Sequence, residues 1–469
     1  MDTHPEFLTS GVDLSHPVRD VLIVCMRFPT PGKAKTRLIP ALGAAGATRL
    51  QREMTRHTLA IVRELLPDIA MEVQCDGGDT ASVQRMFGHD LAVREQVEGD
   101  LGERMLSAFR SAFERGYRRM VLIGTDCPSI TPSILRQAFD RLTTHDCVFG
   151  PALDGGYYLI GLKQPRASIF HGITWGGSRV LAKTLAQAQE AGLATAFLER
   201  LPDIDRLEDI PLWEEVMQQG SSLISVVIPA LNEEGVIAET LAPLEHGSNI
   251  EILVMDGGSR DRTVAVATAH GARVIPAGPN RATQMNTGAR YATGDILLFL
   301  HADSRLPAGF DQDIRTALAD PRTVAGAFSL GFDKDNFALK IMEYGANLRS
   351  RCLQLPYGDQ GIFLWKTDFQ TSGGYPELPI MEDAALIWAL REEGRIVTLA
   401  SRAVTSARRY EKLGPFSTWI INQCVIIGFL KGVDPAELAR LYRSHIGIAG
   451  WLKVVGDAIC QKQVKKPGK

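Results

Sequence analysis

Carboxylates that follow apolar runs are the residues of this chain best suited to chemistry, and the second half holds the clearest set. Ile296-Leu-Leu-Phe-Leu-His-Ala-Asp303 ends a buried-strand pattern on Asp303. A lone aspartate there suffices for Mg2+ or Mn2+ when phosphates and water complete the shell. Glu382 and Asp383 stand side by side at an expected helix start, where only one can face a pocket. An Asp so placed can take a proton from a hydroxyl as that oxygen attacks. Ile228-Pro-Ala-Leu-Asn-Glu-Glu234 puts Pro229, Asn232 and Glu233 at a strand end, and Asp256 closes the next strand before Gly257 and Gly258. These groups can accept hydrogen bonds from a base and a ribose. Arg281, Gln284 and Asn286 open a further helix with one cation and two amides, suited to a ribose or a diphosphate. His301 has two readings, ligand or structural histidine.

The first half repeats the idea with phosphate in view. Phe28-Pro-Thr-Pro-Gly-Lys-Ala-Lys-Thr-Arg-Leu38 is an open loop in which Gly32, Lys33, Lys35 and Arg37 precede a helix, whose amino end attracts anions. A solvated basic turn is the plainer alternative. Asp126, in Gly124-Thr-Asp-Cys-Pro128, ends a strand where open α/β sheets bind ligands, and can hold a metal against nucleotide phosphates. Asp154 lies beside Gly155 and Gly156, which let backbone approach a ligand. Asp205, within Asp203-Ile-Asp-Arg-Leu-Glu-Asp209, is a second metal ligand, or the acids there cap a helix; both readings stand.

The elements that must position these groups look duplicated. Val21–Met26 and Ser225–Pro229 are apolar strand runs, each followed by a polar loop and a helix, and each answered later by a strand leading to Asp126 or Asp303. Such runs alternating with amphipathic helices predict parallel α/β sheets covered on both faces. The expected organisation is a leader over 1–19, domains over 20–217 and 223–410 joined at Gln218–Ser222, and a basic helical tail over 411–469. With 469 residues and a net charge of -3, the chain offers no uniform field for nucleic acid. The last 68 residues, 402–469, nonetheless carry twelve Lys and Arg against four Asp and Glu. Phe416–Leu430 is either a helix lying among anionic lipid headgroups or a helix packed on the second sheet. Seven scattered cysteines without C-x-x-C spacing argue against a disulfide framework and for a reducing cytoplasm, with peripheral contact to the inner membrane face as the tail's alternative. The first residues lack a secretory pattern.

Taken together, the motifs carry two resemblances. PTPGKAKTRL, QVEGDLGERM, GTDCPS, GPALDGGYYLIGL and DIDRLEDI resemble the DUF2064 family, relatives of nucleotidyltransferases with a GT-A-like fold. That implies handling of a nucleotide or nucleotide sugar; Trp175-Gly-Gly-Ser departs from the Trp-Ser-Thr that such sequences tend to have. PALNEE, DGGSRDRT, HAD and the Glu382-Asp383 pair resemble glycosyltransferase family 2, inverting GT-A enzymes. This implies that Asp256 contacts nucleotide, Asp303 the metal, and Asp383 is the base supported by Glu382. RATQMNTGA, YGDQGIFLWK, GGYPELPIMED and SARRYEKLG are similar to transferase 2 of the radical-SAM/selenodomain grouping, of which DUF2064 is the transferase 1 partner. The resemblance implies a bifunctional enzyme linked to arsenosugar biosynthesis, moving a sugar from a nucleotide sugar to a small-molecule or lipid hydroxyl. The alternative is a nucleotidyltransferase first domain beside a second domain that only binds nucleotide sugar.

Overall fold

The computed structural model describes residues 19–219 and 222–443, so the expected leader, part of the expected junction and the lysine-rich end lie outside the described residues. The chain divides into two compact units, one ending at Leu212 and the other beginning at Trp213.

The first unit is built on seven strands, β1 (Asp20–Arg27), β2 (Ala70–Asp76), β3 (Val93–Glu95), β4 (Arg119–Ile123), β5 (Cys147–Pro151), β6 (Tyr157–Leu162) and β7 (Thr195–Phe197). Their order across the sheet is β3-β2-β1-β4-β6-β5-β7. β1 pairs in parallel with β2 and β4, whereas β6 runs against β4, with Leu122 opposite Ile160. Alternation along β1 explains why its run is continuously apolar. Leu22, Val24 and Met26 enter the core on one face, Val21 and Ile23 the core on the other. Burying each such side chain contributes about 1.5–3 kcal/mol, which favours a sheet covered on both sides.

The second unit has β8 (Ile224–Ala230), β9 (Ile250–Asp256), β10 (Arg273–Pro276), β11 (Ile296–Phe299), β12 (Ser304–Arg305), β13 (Thr323–Phe332), β14 (Ile362–Trp365) and β15 (Arg395–Thr405). The order is β10-β9-β8-β11-β14-β13-β15-β12. Apart from the short edge strand β12, this repeats the order of the first sheet, including the one reversed strand, β14, which pairs antiparallel with both neighbours. Duplication is thus a property of the topology itself.

The sheets are mixed rather than parallel as the pattern predicts, because β6 and β14 run against both neighbours, and the strand ends differ as well. β4 stops at Ile123 and β11 at Phe299, so Asp126 and Asp303 sit in the following turns rather than on the last strand residue. Leu300 and Ala302 are nonetheless buried, which is why the apolar run outlasts the ladder. The helix expected at Glu382 spans Glu382–Glu393 and follows Met381, whose φ is +69°. Beyond β15, helices Arg408–Leu413, Pro415–Leu430 and Pro435–Arg443 follow. Ile421, Cys424, Val425, Val433, Leu438 and Leu441 pack together there, and Phe429 stacks on Trp388 at 5.6 Å. Among the described residues, no helix is long and apolar enough to cross a membrane.

Candidate functional site

In the second unit, the loops leaving β8, β9 and β11 share one sheet edge with the segment leading into β14, because β14 is reversed and Ile362 lies opposite Phe299. The first two loops are stitched together. Asn232, at φ +56°, accepts the Arg260 amide at 2.9 Å and donates its own to the Ser259 hydroxyl at 2.9 Å. Asn tolerates this left-handed backbone better than most residues. Asp256 accepts the amides of Gly258 and Ser259, each at 3.1 Å. A β-carbon at Gly257 would collide with the Gln284 amide, so glycine there permits the buried Gln284 to approach.

Helix Arg281–Tyr291 brings Arg281 to the next loop, where its Nη1 lies 3.4 Å from His301 Nε2. Burial first, and Arg281 second, hold the His301 imidazolium form well below its ordinary pKa, leaving a neutral ring. That favours the structural reading of His301 over any role needing its charge.

Asp383 and His301 both crowd Gly358. Asp383 Oδ2 accepts the Gly358 amide at 3.1 Å, and a β-carbon at 358 would stand 2.6 Å from His301 Nε2 while striking Asp383. Asp383 Oδ1 is shut off from solvent without a partner. Burial and the adjacent Glu382 push its carboxyl up to about 7, against the pull of Arg281. Only Asp383 meets this loop amide; Glu382 is buried behind it. Asp359 has the same character: burial raises its pKa and Asp303 adds to the rise, while Arg349 opposes it, and its Oδ1 also lacks a partner.

Arg408 closes the set. It donates to Glu233 at 3.1 Å and reaches Asp303 at 3.4 Å, joining the loop after β8 to the loop after β11. Two expected contacts are used otherwise. Pro229 is buried within β8, and Asn286 spends both ends of its amide on the Tyr375 backbone, at 2.7 and 2.9 Å.

The first unit has a cavity of about 490 Å³ lined by Lys35, Arg37, Asp126, Asp154, Asp203 and Asp205, among others. Lys35 is its pivot: its Nζ lies 2.8 Å from Asp126 and 3.9 Å from Asp205, and donates to the Ile204 carbonyl. Arg37 also pairs with Asp205. Gly32 and Lys33 are exposed and do not line the cavity. Asp154 accepts the Gly156 amide at 2.7 Å, shaping the turn into β6. Asp203 is pushed up to about 6 by burial, then by Asp154, Asp205 and Asp126, so it shares the cavity with three other acids, two of which pair with the buried Lys35 ammonium. The indole N–H of Trp175 is buried without a partner at the cavity wall.

The two ion triads occupy corresponding positions. In the first unit a cation after β1 (Lys35) pairs with acids after β4 (Asp126) and β7 (Asp205). In the second, a cation after β15 (Arg408) pairs with acids after β11 (Asp303) and β8 (Glu233). The first and seventh strand positions have exchanged sign while the fourth stays acidic.

Sequence reasoning did not single out Asp203, Asp359, Gly358 or Arg408. All four lie in three motifs that do stand out, DIDRLEDI, YGDQ and SARRY, and that was the available signal. Among the described residues, no three His, Cys, Asp or Glu side chains enclose a metal by themselves.

Residues 61–177 match the family described as an uncharacterized protein conserved in bacteria, DUF2064, and residues 225–370 match glycosyl transferase family 2. The two matches follow one another in a single polypeptide. Both units are α/β folds on mixed sheets of matching strand order, and helices follow the last long strand of the second. A solved structure from Desulfovibrio desulfuricans, assigned to the nucleotide-diphospho-sugar transferases, is 30% identical, covering 44% of this chain and 90% of that one, with a TM-score of 0.41. Glucosyl-3-phosphoglycerate synthase of Mycolicibacterium smegmatis is 38% identical over 92 residues, 17% of this chain and 30% of the relative. The 4,4'-diaponeurosporenoate glycosyltransferase of Staphylococcus haemolyticus is 39% identical over 92 residues, 18% of this chain and 24% of the relative. The chain therefore spans less than a third of the length of these two relatives.

Proposed function

We propose that the expected domain over residues 223–410, within the second unit, transfers a sugar from a nucleotide sugar to an acceptor hydroxyl with inversion at the anomeric carbon. The observation that carries this reading is Asp383: a carboxyl held by the Gly358 amide, with one oxygen unpartnered and a pKa of about 7. A base poised near neutrality is what deprotonation of a hydroxyl asks for. The acceptor oxygen bonds to the anomeric carbon, its proton passes to Asp383, and the bond to the nucleoside diphosphate breaks with its electron pair on the leaving phosphate. Arg281 and Arg408 supply fixed positive charge at that edge. Asp256, Asn232 and Glu233 stand at the strand ends where a base and ribose would lie.

Asp303, with the unpartnered Asp359 oxygen nearby, gives hard oxygen donors and surplus negative charge, which fits Mg2+ or Mn2+ completed by phosphate and water. Bound there, the ion would neutralise charge on the departing diphosphate. A glucosyl-3-phosphoglycerate synthase crystallised with Mn2+ and UDP is among the similar folds, 21% identical with a TM-score of 0.34.

The first unit in this reading handles a nucleotide or nucleotide sugar in its cavity, with Asp126 and Asp205 as metal candidates and Lys35 and Arg37 facing phosphate. The motif pairing supports a place in arsenosugar synthesis, with a small-molecule or lipid acceptor. The test is incubation of the purified chain with a panel of nucleotide sugars and Mg2+ or Mn2+, recording donor consumption. Equal turnover by Asp383→Asn would reject the proposed chemistry. The size of the first cavity favours a second reading, a nucleotidyltransferase beside a binding-only unit; nucleoside triphosphate consumption with pyrophosphate release, unchanged in Asp383→Asn and without sugar transfer, would select it.

A further inference from the structure

Helix Phe337–Leu353 is apolar on two opposite faces. Leu339 and Met342 are buried with Leu330 and Phe332, as expected of a helix covering a sheet. On the other side Phe337, Ile341, Tyr344 and Leu348, spaced i, i+4, i+7 and i+11, form a stripe left 80%, 46%, 71% and 48% exposed. A helix that only covers a sheet needs one apolar face, so the second, uncovered stripe calls for another partner. Helix Pro415–Leu430, which contacts it, repeats the pattern with Phe416, Trp419, Ile427 and Leu430 exposed. Two adjacent stripes of this kind mark an interaction surface rather than scattered surface residues.

The neighbourhood says what covers it. Beside Tyr344 opens a cavity of about 360 Å³ lined by Lys340, Arg351 and Arg402, with Glu343 its lone acid. Glu343 already accepts the Phe332 amide at 2.7 Å, and Arg351 meets the Ser329 hydroxyl at 3.0 Å. Lys340 pairs with Asp335 at 2.7 Å and Arg402 lies 3.7 Å from Glu343, so the lining keeps its net positive charge chiefly through Arg351, which is held by a hydroxyl rather than a carboxylate, and the space admits a phosphate headgroup. Tyr344 and Trp419 combine an apolar body with a polar tip, as side chains at bilayer interfaces do. The chain continues past Arg443 with five lysines against one aspartate over residues 444–469.

We propose that this face of the second unit docks on an anionic phospholipid surface, the two stripes entering the acyl boundary and the Arg351 cavity taking a headgroup phosphate. The surface involves no residue of the proposed transfer chemistry, so the two readings can fail separately. The test is cosedimentation of the full chain with phosphatidylglycerol/phosphatidylcholine vesicles and with phosphatidylcholine alone. Uptake is expected on the anionic vesicles and should weaken with salt. Ile341→Gln with Leu348→Gln should lower partitioning at least about tenfold from lost burial, and Arg351→Gln about fivefold. Phe337→Ser, at the most exposed position, repeats the loss without disturbing the fold, and unchanged Tm and donor hydrolysis in the absence of lipid certify each variant. Equal uptake by neutral vesicles, undiminished uptake by the stripe variants, saturation by inorganic phosphate with no vesicle binding, or a dimer that the stripe variants dissociate would each overturn it.

Discussion

The amide of Gly358 donates to Asp383 Oδ2 at 3.1 Å, while the other oxygen of that carboxyl is closed off from solvent without a partner. One oxygen is thus fixed, and the other keeps spare hydrogen-bonding capacity, to which the proposed chemistry assigns the acceptor's proton. Because the ionised form is the base, kcat/KM should rise as pH increases through about 7, the value to which burial and Glu382 push Asp383. Glu382→Gln should move that inflection downward, since it removes the neighbouring negative charge. Asp383→Asn should cost about 10²–10⁴ in rate. Initial rates from pH 5.5 to 9 decide this, and a flat profile would remove Asp383 from the base role.

The same carboxyl makes stability depend on pH. Its folded pKa is raised, so the contribution is fully present below the unfolded value near 3.8 and is lost as pH rises through about 7. Asp383→Asn, which does not titrate, should therefore melt above the wild type at pH 8, with the gap closing near pH 4. Scanning calorimetry across that window would expose a gap of the wrong sign.

Gly358→Ala tests the crowding of the loop. The new methyl would press on Asp383 and lie 2.6 Å from His301 Nε2, so turnover should fall further than stability, which overpacking lowers by about 1–3 kcal/mol. Comparable losses in both, seen in parallel rate and denaturation measurements, would make Gly358 a fold residue only.

Arg408 holds Asp303 at 3.4 Å in an exposed pair. Arg408→Gln releases that carboxylate and should tighten Mn2+ binding by about fivefold, the scale of an exposed ion pair. Asp303→Asn should abolish it. Titration followed by electron paramagnetic resonance measures both, and Mn2+ binding indifferent to Asp303 would remove the metal from this loop.

Lys35 is the buried cation of the first unit, its side chain 4% exposed beside Asp126 and Asp205. Lys35→Met leaves those acids facing one another and should lower stability by roughly 1–3 kcal/mol. A chemical denaturation midpoint equal to wild type would contradict the pivot.

Much of this was legible in the residues because strand ends announce themselves. Asp256 and Asp303 follow apolar runs, and Glu382-Asp383 heads an expected helix, so their types and positions carry the site. Strand direction leaves no such mark. β14 reads like any other apolar run, and its reversal is what carries Asp359 and Gly358 to the ligand edge. Arg408 was hidden for another reason: it pairs across 175 residues with Glu233, and its surroundings read as the approach to a basic tail. Asn286 shows the converse, a residue of suitable chemistry that the chain uses to hold its own Tyr375 loop.

The exchange of sign between the two triads has a consequence for engineering. A clasp made of one cation and two anions holds three loops whichever outer loop carries the positive member, so it has no inherent polarity. Reversing a single member leaves like charges in contact, whereas trading the outer pair together restores attraction. Arg408 with Glu233 is accordingly an exchangeable fastening that a compensated double substitution could invert without touching Asp303, whereas inverting Lys35 with Asp205 would also require replacing Arg37, which pairs with Asp205.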